Sequence, residues 1–322
     1  MKAIRIAETG GPEVIRVEDV ARPRAGPGEI LIRHAAVGVN FIDTYHRTGL
    51  YPIPLPSGLG LEAAGVVEEI GAGVERFKVG DNAGYCSGPI GAYAEMAVAP
   101  AARAVKLPSG IEASVAAASM LKGMTARYLL KRTFPLAKGH VAVVHAAAGG
   151  VGQIAVQWGK HIGATIIAVV GSPEKAKLAR GLGADHVVLS GEDIARRVRE
   201  ITGGEGADVV YDSVGKNTFQ STLDSLRPLG MFVSFGNASG PAPAFEPGIL
   251  SAKGSLFFTR PTLFTYTRTP ELLQETADDL FDVIGRGIVK IAPPTAYKLA
   301  DAAQAHRDLE ARKTTGSLVL VP

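Results

Sequence analysis

VAVVHAAAGGVGQIAVQWGKHIGATIIAVV, residues 141–170, is the stretch that decides the fold of this chain. It begins with a short apolar and β-branched run, Val141 to Val144, which is typical of a strand buried on both faces. After a glycine-rich turn, apolar residues recur at helical spacing, and a second apolar run, Thr165 to Val170, follows. Strand, turn, helix and strand in this order predict the βαβ unit of a parallel sheet.

The turn itself, residues 147–152, reads AAGGVG and matches the dinucleotide-binding fingerprint with alanine at its first glycine. Gly149 lets the backbone approach a pyrophosphate, and Gly152 lets the helix pack closely on the strand. The helix N-terminus adds free N–H groups and a positive dipole end. An ordinary βαβ turn without a ligand is the alternative, but the flanking elements favour a dinucleotide site. Its predicted residues are Ala147, Gly149, Gly150, Val151 and Gly152.

The end of the second strand indicates which dinucleotide binds. NAD sites place an Asp or Glu there to hold the ribose 2′-hydroxyl. Here Gly171 and Ser172 take that position, and Lys175 follows. A hydroxyl and a lysine suit a 2′-phosphate, so we predict NADPH as the cofactor. Glu174 is the one residue that favours NAD, since its carboxylate could bind the ribose diol if the turn were displaced. Its place at a helix start favours instead a role in complementing the helix dipole.

Composition excludes several classes of function. The chain has 322 residues, 34 Lys and Arg against 31 Asp and Glu, and one cysteine, Cys86. This near balance of charge gives no bulk attraction to nucleic acid or to an anionic membrane. A single cysteine forms no intramolecular disulfide, and no signal peptide or membrane span is visible, so we expect a cytoplasmic protein.

Two kinds of pattern divide the chain. Up to about Lys122, short candidate strands are separated by turns, as in a β-rich, barrel-like domain. From about Gly123, helices and strands alternate, as in a doubly wound parallel sheet. The last strand, Ser317 to Val321, has no neighbour in sequence, and we expect it to pair with the first domain. The predicted domains are residues 1–123 with 264–322, and residues 124–263.

Seven blocks of sequence, including the glycine turn, give the chain a resemblance to a known family. They are GGPEV (10–14), NFIDTYHRTGLYP (40–52), GLEAAGVV (60–67), AAAGGVG (146–152), VVYDSVG (209–215), VSFGNASG (233–240) and GSLFFTRP (254–261). In this order they resemble the zinc-free quinone oxidoreductases related to zeta-crystallin, within the medium-chain dehydrogenase/reductase superfamily. The resemblance implies an α/β fold: a β-rich GroES-like barrel domain plus a doubly wound parallel (Rossmann) sheet domain.

The chain lacks the metal ligands of the superfamily's alcohol dehydrogenases. Leu61 stands where those members have histidine, and Asn40 stands where their first cysteine ligand lies. One cysteine cannot supply the usual Cys and His ligand sets, so we predict no metal. Without a Lewis acid to stabilise an alkoxide, alcohol oxidation lacks its main source of catalysis. Hydride transfer to an electron-poor acceptor, such as a quinone or an enone, needs far less help.

The resemblance implies catalytic residues in one loop, at Asn40, Asp43, Tyr45 and Tyr51. Asn40 would hydrogen-bond the nicotinamide ribose or the acceptor oxygen. The tyrosines would pack on a flat ring or donate a proton, or would simply pack half-buried with a wet hydroxyl. Asp43 would orient a neighbour or cap a turn. We expect His46, a lone histidine, at the surface.

Further cofactor contacts follow only from the resemblance. Ser190 takes the place of a tyrosine that in bacterial relatives stacks near the adenosine, so this contact is weaker or replaced. For each arginine of the set, a solvated salt bridge is an equal alternative. The remaining members of the set are Tyr128, Ser213, Phe235, Gly236, Asn237, Arg260 and Arg312.

These observations predict an NADPH-dependent, zinc-independent reductase of small quinones, by hydride or electron transfer. The alternative enzyme reduces the double bond of enones or alkenals. Relatives that are lens structural proteins or that bind RNA supply a third class, although the sequence shows neither an aromatic stacking motif nor a basic stripe. By resemblance we expect a homodimer, with Gly254 to Phe258 pairing across its axis.

Overall fold

The computed structural model describes residues 1–311 and 313–322. The chain divides into two compact units. Unit 1 comprises residues 1–124, 267–285 and 291–322, and unit 2 comprises residues 125–266 and 286–290.

The strands in the described part of the chain are numbered in chain order. They are β1 (Lys2–Ile6), β2 (Arg16–Asp19), β3 (Glu29–Val39), β4 (Ser57–Gly58), β5 (Glu62–Ile70), β6 (Asn82–Tyr85), β7 (Met96–Pro100), β8 (Val105–Lys106), β9 (Val141–His145), β10 (Thr165–Val170), β11 (His186–Leu189), β12 (Ala207–Asp212), β13 (Leu226–Ser234), β14 (Phe257–Thr259), β15 (Thr295–Lys298) and β16 (Leu318–Val321).

The α-helices of the same residues are also numbered in chain order. They are α1 (Phe41–Thr48), α2 (Ala113–Tyr128), α3 (Gly150–Ile162), α4 (Pro173–Gly181), α5 (Ile194–Ile201), α6 (Phe219–Ser225), α7 (Gly248–Ala252), α8 (Leu263–Tyr266), α9 (Pro270–Gly285) and α10 (Ala302–Glu310). A π-helical turn, Leu129–Thr133, continues α2.

Unit 1 is built on two β-sheets. The larger has the strand order β15-β16-β3-β5-β6-β8, with β7 also paired to β3, and the smaller has the order β2-β1-β4. Its core is apolar, with Ile30, Ile32 and Val67 fully buried. The terminal strand β16 pairs antiparallel with β3, Leu318 opposite Val39, which confirms the expectation that it rejoins the first part of the chain.

Unit 2 is a doubly wound parallel sheet in the order β11-β10-β9-β12-β13-β14. The strand order reverses between β9 and β12, and the carboxyl ends of strands at such a point form a ligand crevice. Val143, Val210 and Phe232 are fully buried in the core, as β-branched and aromatic strand residues should be. The sequence placed β10 at its observed bounds.

Two helices, α1 and α2, begin in the part of the chain that the sequence predicted to be strands and turns. The sequence placed residues 40–51 in a loop and the residues before Lys122 among strands, whereas α1 and α2 occupy these regions. Alanine, which forms helices best, is frequent in α2. No helix of the described residues is both long enough and apolar enough to cross a membrane.

Candidate active site

The segment after Asn40, predicted as a loop, is a helix. Residues that favour a helix start and a helix end stand at its two termini. Asn40 has extended backbone angles, and its N–H donates to the Asp43 carboxylate at 2.8 Å. Asn is a favoured residue at the N-cap, and an acidic group in the first turn complements the helix dipole. At the other end, Gly49 adopts φ 80°, the left-handed conformation that terminates helices. The helix places Asn40 at its N-terminus.

The Asn40 side chain is held by a completely buried carboxylate. Its Nδ2 donates to Glu62 Oε2 at 2.7 Å, and the Leu121 N–H donates to Glu62 Oε1 at 2.7 Å. The Lys122 ammonium lies 3.6 Å from Glu62 Oε2. Burial raises the pKa of Glu62, whereas Lys122, the Leu121 N–H and the Asn40 amide oppose that rise. Each of the two carboxylate oxygens therefore accepts one hydrogen bond, and a buried cation lies beside them.

Asp43 begins a second buried polar network. Its Oδ2 accepts hydrogen bonds from the Asn40 N–H and from the Tyr93 hydroxyl at 2.9 Å. The same hydroxyl lies 3.0 Å from His306 Nε2, and His306 Nδ1 lies 3.0 Å from the Arg47 guanidinium. Burial raises the pKa of Asp43 to about 7, and burial with the Arg47 charge lowers that of His306 to about 3. Asp43 is completely buried, and its hydrogen bond with Asn40 is made to the backbone N–H of that residue.

Tyr45 and Tyr51, two of the predicted site residues of unit 1, lie side by side. Both are half-buried, and their rings meet edge to face with centroids 5.2 Å apart. The Tyr51 N–H donates to the Tyr45 carbonyl at 3.0 Å, which fixes the backbone after α1. His46, expected at the surface, is instead buried. It lies on the buried face of α1, in the segment predicted as a loop, and burial lowers its pKa.

The glycine turn of unit 2 has the geometry of a phosphate cradle. Gly149 is the N-cap of α3 and is exposed, and Gly150 begins the helix. A side chain at Gly152 would place its Cβ 2.4 Å from the Ala146 carbonyl oxygen, so only glycine allows this close packing of helix on turn. Ala147 is buried beneath the turn, and Val151 is half-buried. The open helix N-terminus can bind an anion.

The end of β10 carries a hydroxyl and a lysine in place of an acid. Ser172 is the N-cap of α4, and its Oγ accepts from the Lys175 N–H at 3.3 Å. Gly171 is exposed, and Ser172 and Lys175 are half-buried. Glu174 is exposed in the first turn of α4, where the Ser172 hydroxyl lowers its pKa. The position that holds an acid in NAD sites is therefore taken by residues that fit a phosphate.

The loops after β12 and β13 are fixed by a completely buried aspartate. Asp212 Oδ1 accepts from the N–H groups of Val214 and Gly215 at 2.7 and 3.1 Å. Its Oδ2 accepts from the hydroxyls of Thr218 and Thr222 at 2.6 and 3.1 Å. This arrangement holds the backbone on both sides of the predicted cofactor residue Ser213.

Gly236 packs directly against Ser213. A Cβ on Gly236 would come within 2.5 Å of the Ser213 carbonyl oxygen, so the two loops approach as closely as backbones can. Phe235 is half-buried, and its N–H donates to the Asp212 carbonyl at 2.8 Å. Asn237 is buried beside it. The structure thus brings together Ser213, Phe235, Gly236 and Asn237 at the carboxyl ends of β12 and β13.

The other predicted cofactor residues have different surroundings. Tyr128 is buried, and its ring stacks on that of Tyr266 with centroids 4.5 Å apart and planes 8° apart. Arg260 is exposed, and its guanidinium donates to the Ser234 carbonyl at 2.9 Å, near the end of β13. Ser190 is exposed just after β11. Arg312 lies outside the described residues.

Sequence reasoning missed the buried charges of unit 1. Glu62 and Lys122 each had a visible signal, since each is the only charged residue in an otherwise apolar run, GLEAAGVV and ASMLKGM. Charged residues are almost never fully buried unless they are paired. Tyr93 and His306 gave no such signal, because their partners are distant in sequence. Within the described chain, no three His, Cys, Asp or Glu side chains are grouped as a metal site requires.

Two family descriptions match the chain. Residues 26–109 match the alcohol dehydrogenase GroES-like domain, and residues 150–282 match the zinc-binding dehydrogenases. Together with the parallel sheet, these matches confirm the predicted fold class.

Curated relatives and solved structures match over the whole length. A quinone oxidoreductase of Pseudomonas aeruginosa is 53% identical, over 100% of this chain and 99% of its own. A 2-haloacrylate reductase of a Burkholderia species is 45% identical, over 98% of each chain. The crystal structure of Escherichia coli quinone oxidoreductase complexed with NADPH superposes with a TM-score of 0.98, at 45% identity and 100% coverage of both chains. The chain therefore belongs to the quinone oxidoreductase family of medium-chain dehydrogenases/reductases, a family of enzymes.

Proposed function

We propose that this protein reduces small quinones with NADPH and without a metal ion. The observation that carries the proposal is the end of β10, where Ser172 and Lys175 replace the acid of an NAD site. Family membership supports the acceptor, and the crystal structure of the E. coli relative, complexed with NADPH, supports the cofactor.

The residues of unit 2 fit the cofactor. When bound, NADPH supplies the hydride. The exposed N-terminus of α3 and Gly149 bind the pyrophosphate through backbone N–H groups. The Ser172 hydroxyl and the Lys175 ammonium bind the 2′-phosphate, by a hydrogen bond and by charge. Ser213 and Asn237 line the groove at the next strand ends.

The residues of unit 1 act on the acceptor. The Asn40 carboxamide donates a hydrogen bond to the nicotinamide ribose or to the acceptor oxygen. Tyr45 and Tyr51, whose rings meet edge to face, pack on the flat ring of the acceptor. One of their hydroxyls, or water, supplies the proton that accompanies the hydride.

Cofactor choice is tested with two lysines of α4. Lys175→Met should weaken NADPH binding about tenfold, the effect of losing about 1.4 kcal/mol of charge-assisted contact, and should leave NADH binding unchanged. Lys177→Met is the matched control, since Lys177 is exposed on the same helix. Dissociation constants for both cofactors are measured by NADPH and NADH fluorescence. Equal affinities of the wild type for the two cofactors would refute the assignment.

Acceptor choice is tested by NADPH oxidation against a panel of quinones, enones, alkenals and 2-haloacrylates. The 2-haloacrylate reductase at 45% identity makes conjugated double bonds the second candidate class. We expect the highest kcat/KM with small quinones. Turnover confined to enones or haloacrylates would replace quinone reduction by double-bond reduction as the function.

We also propose a homodimer in which β14 pairs with a second copy of itself. β14 is at the end of the sheet order, and Phe257 on it is 55% exposed. An apolar edge strand is a ready template for pairing. Light scattering should give twice the mass of the chain, and Phe257→Lys should halve it. A monomeric wild type would exclude this arrangement.

A further inference from the structure

The buried pair of Glu62 and Lys122 has no assigned role in the proposed reaction. Glu62 is 0% exposed and Lys122 is 8% exposed. The Lys122 ammonium has no hydrogen-bond partner among the described residues, and its 3.6 Å approach to Glu62 is an ion pair. An apolar pair of similar volume would be as stable or more stable at such a position. Stability alone therefore does not explain the pair.

We propose that Glu62 and Lys122 are positioning residues, which fix the orientation of the Asn40 carboxamide so that its amino end faces Glu62. The inference rests on the proposed function, in which Asn40 contacts the nicotinamide ribose or the acceptor oxygen. The Asn40 Nδ2 donates to Glu62 Oε2 at 2.7 Å. The pair thus acts on the reaction only through Asn40.

An ionised carboxylate selects one of the two ends of an amide. It accepts hydrogen bonds and donates none, so the Asn40 oxygen cannot turn toward Glu62 without facing a negative charge. A protonated Glu62 could instead donate to that oxygen and would allow the flipped rotamer. The orientation of Asn40 is therefore set by the charge on Glu62.

Lys122 is the residue whose charge favours the ionised form of Glu62. Burial favours the neutral acid, and the Lys122 ammonium, the Leu121 N–H and the Asn40 amide oppose this. Among the described residues, the charged and titratable groups that interact with Glu62 are Lys122, the buried Asp43, the Cys86 thiol and the Tyr93 hydroxyl. Lys122 is the positive member of this set, so the ionised state of Glu62 depends on it.

When the Asn40 carboxamide is fixed, its remaining N–H donor points in a fixed direction. One N–H of the Asn40 amino group is committed to Glu62, and the second can donate to a ligand oxygen. A carboxamide free to flip would present an acceptor to that oxygen for part of the time. Misplacement of one contact in this way costs about a hundredfold in rate in well-ordered sites.

The kinetic test uses three variants. Glu62→Gln and Lys122→Met each leave one buried group unpaired, and both should lower the Tm. The double variant Glu62→Gln/Lys122→Met carries no unpaired charge and should recover most of the Tm. Its kcat should remain between about tenfold and a hundredfold below that of the wild type, and its affinity for the adenosine part of NADPH, measured with 2′,5′-ADP, should be unchanged.

The matched control is another ion pair of unit 1. Lys106 lies 2.7 Å from Asp81, and neither residue contacts Asn40. The double variant Asp81→Asn/Lys106→Met removes the same charges at a different place and should keep its kcat. Recovery of both Tm and kcat in Glu62→Gln/Lys122→Met would show that the pair is only structural and would overturn the proposal.

A second readout does not depend on turnover. In the cofactor-free protein, the side-chain amide signals of Asn40, assigned by their loss in Asn40→Asp, should show slow hydrogen exchange in the wild type. In Glu62→Gln/Lys122→Met they should exchange faster and broaden. Unchanged exchange would overturn the positioning role, whatever the acceptor is. A wild type that reduces no quinone but shows the expected exchange would instead refute only the proposed function.

Discussion

The Arg47 guanidinium binds the Glu310 carboxylate with two hydrogen bonds, of 3.0 and 2.7 Å, across 263 residues of sequence. Arg47 is 1% exposed, and it also donates to the Gly10 carbonyl at 3.0 Å. The bidentate geometry suits the planar guanidinium and makes a strong charge-assisted contact. It ties α1, which begins beside Asn40, to α10 near the end of the chain.

Removal of the Arg47 charge should therefore loosen α1. Arg47→Met leaves Glu310 without its partner and the Gly10 carbonyl without a donor, and we expect a loss of about 3 kcal/mol in the free energy of unfolding. Urea denaturation followed by circular dichroism measures it. Arg24→Met is the control, because the Arg24–Glu69 pair is exposed and such pairs contribute little. A loss no larger than that of the control would contradict the role of Arg47.

The contribution of Asp43 to the free energy of unfolding should fall as the pH rises, the opposite of what a carboxylate with a lowered pKa contributes. Burial raises its pKa from the ordinary 3.8 to about 7, and its Oδ1 has no hydrogen-bond partner among the described residues. Between these values the folded protein holds a proton that the unfolded chain has lost. The contribution of this group is therefore fully present below the unfolded pKa and is lost as the pH rises through the folded one.

The comparison of wild type with Asp43→Asn isolates this effect, because the amide does not titrate. The difference in the free energy of unfolding, wild type minus variant, should fall as the pH rises from about 4 to about 7 and should then level off. His306 and His34 have pKa values lowered to about 3 and about 4. They change stability in the opposite sense, but equally in both proteins. A difference that rises with pH would be inconsistent with a raised pKa.

Local patterns predicted unit 2 better than unit 1. The βαβ unit from Val141 to Val170 depends on period, β-branched residues and one glycine turn, all of which are near neighbours in sequence. By contrast, Asn40 and Glu62 meet only when β5 lies beside β3, and His306 meets Tyr93 only in the folded unit. The helix α1 was missed although Asn40, Asp43 and Gly49 are N-cap, first-turn and C-cap residues. The resemblance to the family predicted a loop at the substrate for this segment, and the helix-capping residues were not used.

Cys86 should be inert in the folded protein. It is buried, its Sγ lies 3.5 Å from Met124 Sδ, and burial raises the pKa of its thiol well above the ordinary value. The thiolate is the reactive form, so thiol–disulfide exchange is suppressed both by burial and by the raised pKa. We expect no reaction with dithiobis(nitrobenzoate) until the protein unfolds, and the reaction of one thiol per chain in denaturant. Rapid labelling of the native protein would show that unit 1 opens beside Cys86, just after β6.

Asp212 should support the backbone of the predicted cofactor groove without affecting the preference for NADPH over NADH. Four hydrogen bonds converge on its carboxylate, two from backbone N–H groups and two from threonine hydroxyls. Asp212→Asn keeps the volume but removes the charge. Its amino group would face the Thr218 and Thr222 hydroxyls, which would have to turn from donating to accepting, and the bonds from the Val214 and Gly215 N–H groups would lose their charge assistance. We expect a loss of about 3 kcal/mol in the free energy of unfolding.

The same substitution should also change binding. Because the backbone around Ser213 is released, NADPH and NADH should both bind more weakly, by the same factor, whereas Lys175→Met should affect NADPH alone. Thr222→Val is the milder companion, since it removes one hydroxyl that also lies 3.1 Å from His145 Nε2. Fluorescence titration of the three variants with both cofactors separates the two effects. A selective loss of NADPH binding in Asp212→Asn would mean that the loop after β12 takes part in recognising the 2′-phosphate, contrary to its role here as a support.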